Sequence, residues 1–208
     1  YAQDDNLTRY IERANKFNSE GNLTASLATW DLYLKEVLKS EEDNSLHYFM
    51  GIVCKSVVLI EAERFEEAEE ILLAAKMPSE GDLRLNLAFI KNLAACAYNL
   101  NKYEDAISLY IEAYNTLLEY KGYYPESNDS NSHWCWSDEL CFIAIELANV
   151  YVALNLYEEA HETFIVTVNS TREDWEVCMP NNRAGLYRGF FGLFANVKDK
   201  LAIDDMND

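Results

Sequence analysis

Apolar residues recur along this chain at the spacing of a helix face. Leu7, Tyr10, Ile11, Ala14 and Phe17 fall at i, i+3, i+4, i+7 and i+10, and Gly21-Asn22 breaks that run. Leu23, Leu27, Trp30, Leu34, Val37 and Leu38 form a second stripe, closed by a polar run from Ser40 to Ser45. Tyr48, Phe49, Ile52, Val53, Val57, Leu59 and Ile60 predict a helix apolar over most of its surface, as an inner layer requires. The polar turn Glu61 to Arg64 leads to Phe65, Ala68, Ile71, Leu72 and Ala75, and Met77-Pro78-Ser79 stops that helix because proline cannot continue it. Ser79 and Asp82 suggest a variant capping box for the next helix.

The third set runs through Leu85, Phe89, Leu93, Cys96, Ala97 and Leu100, then Tyr103, Ala106, Ile107, Tyr110, Ala113, Tyr114 and Leu117, ending near Gly122. The fourth runs through Leu140, Ile143, Ala144, Leu147, Ala148, Tyr151 and Leu154, then Tyr157, Ala160, Phe164 and Val168. The pairs therefore span about 5–40, 44–77, 80–121 and 138–171. Between the last two lies an irregular segment, 121–139, carrying Tyr123, Tyr124, His133, Trp134 and Trp136. Long connections of this kind are uncommon in compact domains and are often functional. A final helix over about 183–201 places Leu186, Phe190, Leu193, Phe194, Val197 and Leu201 on one face, and Gly185, Gly189 and Gly192 would admit another helix closely.

One motif opens the second helix of each pair: Tyr103-Glu104-Asp105-Ala106, Tyr157-Glu158-Glu159-Ala160, Phe65-Glu66-Glu67-Ala68 and, degenerately, Leu23-Thr24-Ala25-Ser26. A recurring two-helix unit stacks on its neighbours, and stacked units make binding surfaces more often than active sites. Leu147-Ala148, Tyr151, Leu154, Tyr157, Ala160 and Phe164 resemble the tetratricopeptide repeat (TPR) signature. Leu93-Ala94, Leu100, Tyr103, Ala106, Tyr110 and Ala113 repeat most of it, Ser56, Leu59, Phe65, Ala68, Leu72 and Ala75 keep part, and the first pair keeps Leu23, Ser26 and Trp30. The markers at 23, 65, 103 and 157 lie 42, 38 and 54 residues apart, against a family period of about 34. The helices are therefore longer than usual and the third interval holds an insertion. The family's early Trp and closing Pro are missing.

The resemblance implies an all-α, TPR-like α-solenoid of about four helix pairs with a C-terminal capping helix. It further implies a groove lined by the first helices of the pairs, here Ile11, Asn15, Val53, Val57, Lys91, Tyr98, Ile145 and Asn149. Family members that grip a peptide carboxylate use Lys, Asn and Arg on that face. Here Lys91 is followed one turn on by Ala95, so the groove is largely apolar and amide-rich instead. The expected role is non-catalytic binding of a protein or peptide, with Tyr123, Tyr124, Trp134 and Trp136 as a recognition loop. The alternative is an extracytoplasmic ligand-sensing domain of a larger receptor or regulator.

Charge narrows the partners. The net charge is -19, with 17 Lys and Arg scattered along the chain. Phosphate-backbone binding needs a basic face, so nucleic acid is not an expected partner, and anionic membrane surfaces are disfavoured likewise. No run of about 18 or more apolar residues predicts a membrane span. Ala2-Gln3 has the look of a signal-peptide cleavage site, which predicts export, the alternative being an arbitrary start. Sequons at Asn6, Asn22, Asn128 and Asn169 matter only in a eukaryotic secretory context.

Of five cysteines, Cys54 and Cys96 read as small buried residues, while Cys135, Cys141 and Cys178 lie at or near less regular segments, where a pairing stays open. His133, Cys135 and Cys141 fit no closed zinc spacing. No phosphate-cradling glycine loop or nucleophile elbow occurs, and Glu66-Glu67 and Glu158-Glu159 suit helix N-termini. No catalytic residue, metal or cofactor is expected. Self-association through the C-terminal helix is a further expectation.

Overall fold

The structure, a computed structural model, describes residues 2–39, 45–76, 82–120, 136–171 and 184–204. Every element among them is an α-helix: α1 (Ala2–Ser19), α2 (Leu23–Val37), α3 (Ser45–Glu61), α4 (Phe65–Ala74), α5 (Leu83–Asn99), α6 (Tyr103–Glu119), α7 (Trp136–Ala153), α8 (Tyr157–Thr171) and α9 (Ala184–Asp204). The helices fall into two compact units, Tyr1–Lys102 and Tyr103–Asp208. In the first, α1 packs on α2, α2 on α3, α3 on α4, and α5 on both α3 and α4. In the second, α7 packs on α6 and α8, and α9 rests on α7 and α8.

The four sequence markers are the first residues of α2, α4, α6 and α8. Each of these helices is entered through the same turn. Gly21, Glu63, Asn101 and Asn155 hold left-handed backbone at φ 73, 57, 60 and 60°. The amide after each donates five residues back, Asn22 to Phe17, Arg64 to Leu59, Lys102 to Ala97 and Leu156 to Tyr151, at 2.8–2.9 Å. The left-handed residue itself donates three back, as Gly21 does to Asn18 and Asn155 to Val152. This is the Schellman closure, which satisfies the last carbonyls of the preceding helix. Glycine suits it without steric cost and asparagine tolerates it, whereas glutamate is strained there. Glu63→Gly is therefore expected to stabilise the protein by about 1 kcal/mol, read as a raised urea midpoint at unchanged slope; an unchanged or lowered midpoint contradicts it.

Seven residues before each left-handed residue and five after it stand small side chains: Ala14 and Ser26, Ser56 and Ala68, Ala94 and Ala106, Ala148 and Ala160. All eight are fully buried. Small residues let paired helices approach. In the first pair the approach is explicit, because Ser26 Oγ donates to the Ala14 carbonyl at 3.0 Å. The hydroxyl in place of the usual methyl is thereby satisfied.

The expected first helix starts at Ala2, and α7 starts at Trp136, taking the last four residues of the segment expected to be irregular. Asp82 is the N-cap of α5, its carboxylate accepting from the Arg84 amide, while Ser79 lies outside the described residues. Asn22 caps α2 by accepting from the Ala25 amide. Helix α9 covers α8 through Phe190 and Phe194. Gly189 and Gly192 do not serve close packing within this chain: a Cβ at either meets nothing within 4 Å.

The close approach occurs instead at Gly51 in α3. A Cβ there would lie 2.7 Å from Leu34 Cδ2 and 2.8 and 2.9 Å from ring carbons of Tyr33. Tyr33 is wholly buried, packs edge-on against Trp30 and bonds His47 through its hydroxyl at 3.3 Å, so its ring has little room to yield. The helix-propensity gain of Gly51→Ala, about 1 kcal/mol, is then outweighed by overpacking of about 1–3 kcal/mol. A net loss of stability by thermal unfolding is expected, and a gain would show that the α2–α3 contact is loose.

Candidate binding face

The residues expected to line a groove fall into both units. In the first, α3 and α5 lie side by side, tied by Asn92, whose Nδ2 donates to the Val53 carbonyl at 3.2 Å and to Ser56 Oγ at 2.9 Å. Val57 on α3 is 38 % exposed, Lys91 and Tyr98 on α5 are half-buried, and Asn15 is exposed on α1, whose packing partner is α2. Val53 does not belong with them. It is 2 % exposed, because α3 is enclosed by α2, α4 and α5 and a ligand cannot reach that side chain. In the second unit, Ile145 and Asn149 are half-buried and one turn apart on α7.

Trp136 is also relocated. It opens α7, is 8 % exposed, and its indole N–H donates to the Leu117 carbonyl of α6 at 2.6 Å. A buried Trp with its polar edge satisfied anchors a helix rather than presenting a recognition surface. Tyr123, Tyr124 and Trp134 lie outside the described residues, as do Cys135, Cys178 and His133.

The titratable groups of the interior are structural. Burial pushes the Cys54 thiol up to about 11 and that of Cys96 up to about 12, the latter helped by the nearby Glu69 carboxylate. A thiolate nucleophile needs the opposite shift. Cys54 and Cys96 carry free thiols, and Cys141 is buried near the start of α7. Burial likewise raises Tyr33 and Tyr114 to about 12. Tyr114 ties α6 to α8, its hydroxyl 2.7 Å from Thr167 Oγ1. Among the described residues no cluster of three or more His, Cys, Asp or Glu could hold a metal, and no helix is long and apolar enough to cross a membrane. His161 stacks on Phe194, a packing role.

Sequence reasoning missed Gly51, Asn92 and the Tyr114–Thr167 bond. Two of them had a signal: a glycine inside a strongly apolar helix, and an Asn between the buried Ile90 and Leu93.

Paired antiparallel helices with left-handed closures and small residues in fixed register define an all-α helical-repeat protein. No family model matches the sequence, and no curated protein matches it. Solved structures do match in fold. The apo form of RapI superposes with a TM-score of 0.65 at 14 % identity, over 97 % of this chain and 73 % of that one. BtubC (BKLC) from P. vanneervenii gives 0.64 at 13 % identity, over 96 % and 81 %. A putative kinesin light chain from Podosopora anserina with nearly identical TPR-like repeats gives 0.63 at 16 % identity, over 97 % of both chains. The fold is that of a TPR-like α-solenoid.

Proposed function

We propose that this chain is a non-catalytic scaffold that binds a protein or peptide segment on the face of its first helices. What carries the reading is the exposed strip of the first unit. Val57, Lys91 and Tyr98 remain accessible on α3 and α5 after the small residues at the pair registers have been buried. Val57 is accessible on α3, and Tyr98 stays half-buried on the neighbouring α5, so both helices keep surface available for a ligand. TPR-like neighbours support the general role. Asn15 is exposed on the first helix of its pair, α1, and Ile145 and Asn149 hold first-helix positions on α7 within the second unit. No covalent step is involved.

A random peptide library selected on the full chain tests this. Enriched peptides are expected to lose at least tenfold in affinity to Val57→Glu and Tyr98→Ala, with unfolding midpoints little changed, since buried-aromatic anchors dominate such contacts. Selected peptides that bind both variants as tightly as the parent would overturn the assignment.

A further inference from the structure

The helices α6, α7 and α8 carry ten carboxylates and not one Lys or Arg. The first unit is built differently: Asp31 pairs with Lys55 at 2.6 Å, Glu69 with Lys102 at 2.6 Å, and Glu67 with Arg64. In the second unit the Lys and Arg among the described residues all lie on α9. The helix dipole accounts for part of the imbalance, because Glu104, Asp105, Glu158 and Glu159 occupy first turns. It does not account for Glu112 and Glu162 in mid-helix, and Glu119 sits in the last turn of α6, where the dipole opposes a negative charge. A local rule broken without a compensating contact among the described residues is a mark of function.

The same two helices expose three aliphatic side chains, Ile111 (37 %) on α6 and Ile165 (40 %) and Val166 (37 %) on α8. The Tyr114 hydroxyl joins α6 to α8 by its bond to Thr167 Oγ1 and by a longer one, 3.4 Å, to the Thr163 carbonyl. Ile111 is three residues before Tyr114, and Val166 is three after Thr163, so each shares a face with a member of that seam. The two therefore flank the α6–α8 junction, with carboxylates outside them on both helices.

We propose that the outer face of α6 and α8 is a docking surface for a Lys- and Arg-rich amphipathic segment of another protein. Its apolar side would cover Ile111 and Val166, and its cations would meet Glu112, Glu119 and Glu162. Charge complementarity selects this occupant. A nucleic acid or an acidic peptide is repelled here, and a purely apolar segment would strip water from the carboxylates without replacing it. It uses other helices than the first-helix face and does not depend on that reading.

A synthetic helical peptide with Lys on one face and Leu on the other, labelled for fluorescence anisotropy, tests the idea on the full chain. Binding is expected, and it should weaken steeply as salt rises from about 50 to about 300 mM. Glu112→Lys with Glu162→Lys should weaken it about tenfold, and Glu112→Gln with Glu162→Gln by less, as charge reversal and neutralisation of surface contacts require. Ile111→Ser with Val166→Ser should weaken it as well. Glu66→Lys with Glu70→Lys, on exposed α4 of the first unit, should leave it unchanged. Absence of binding, equal loss in the α4 variant, or indifference to the Ile111 and Val166 changes would each overturn the proposal. So would light scattering that shows a dimer broken by the same α6–α8 substitutions, because the occupant would then be a second copy of this chain.

Discussion

Phe164→Ala is expected to cost about 3–5 kcal/mol and to loosen α9 selectively. Phe164 is wholly buried in α8. Its ring meets Phe190 edge-on at 4.9 Å and Phe194 at 5.5 Å, both from α9. The packing partners of α9 are α7 and α8, so this aromatic cluster is a main attachment of the terminal helix. Terminal repeats need such a cover for their inner face. Chemical denaturation gives the cost, and hydrogen exchange gives its location: α9 amides should exchange faster than those of α7. The neighbouring Ile165, 40 % exposed, is the control, and Ile165→Ala should stay within about 0.5 kcal/mol. A loss below about 1 kcal/mol for Phe164→Ala, or unchanged α9 protection, would show that the cap is held elsewhere.

The second large effect is alkaline. Cys54 and Cys96 have ordinary thiol values of 9.0 and are raised to about 11 and about 12, and Tyr33 and Tyr114 are raised from 10.0 to about 12. Burial is the leading cause in all four, because the anion would lose its water. In each case the folded state holds its proton to higher pH than the unfolded state. The stabilisation is therefore complete below about pH 9 and disappears as pH rises from about 9 to about 12. One unit of difference is worth about 1.4 kcal/mol, so four such groups together remove several kcal/mol, a large share of the stability of a small domain. Unfolding monitored by circular dichroism against pH, under reducing conditions, should show a cooperative loss in that window. Cys96→Ala should shallow the pH slope whatever its effect at neutral pH. A stability flat from pH 9 to 12 would mean that water reaches these side chains.

The small registers show how much of the fold was legible beforehand. Ala68, Ala106 and Ala160 announced themselves by position, and Ser26 followed by analogy even though its surroundings match the signature poorly. The structure buries all four completely. Helix starts were legible for the same reason: Leu23, Phe65, Tyr103 and Tyr157 each follow a break that the local chain must make. Val53 and Trp136 were misjudged because their surroundings are made by helices remote in sequence. Val53 is covered where Asn92, 39 residues away, bonds its carbonyl, and Trp136 is buried where α6 offers the Leu117 carbonyl.

The proposed first-helix face was read from register, and register assigns a side chain to a side of its helix. It says nothing of how many other helices crowd that side. Val53 and Val57 are one turn apart on α3, yet one is 2 % and the other 38 % exposed. The outer face of α6 and α8 was hidden for another reason. Its carboxylates were visible as charge, but four suit helix N-termini, and only the Tyr114 contact with Thr167 brings together the two helices that carry the others and the exposed Ile111 and Val166.

Periodicity, turn chemistry and small-residue spacing, all local properties of the chain, were enough to determine the helices and the turns that close them. Burial, the tight Gly51 contact, the raised thiols and phenols, and the juxtaposition of α6 with α8 depend on which helices meet, and that was decided by tertiary packing. The reason is one of range. A hydrogen-bonded turn is settled within about six residues, as the Schellman closure is, whereas desolvation is set by every atom that displaces water from a group, wherever it lies along the chain.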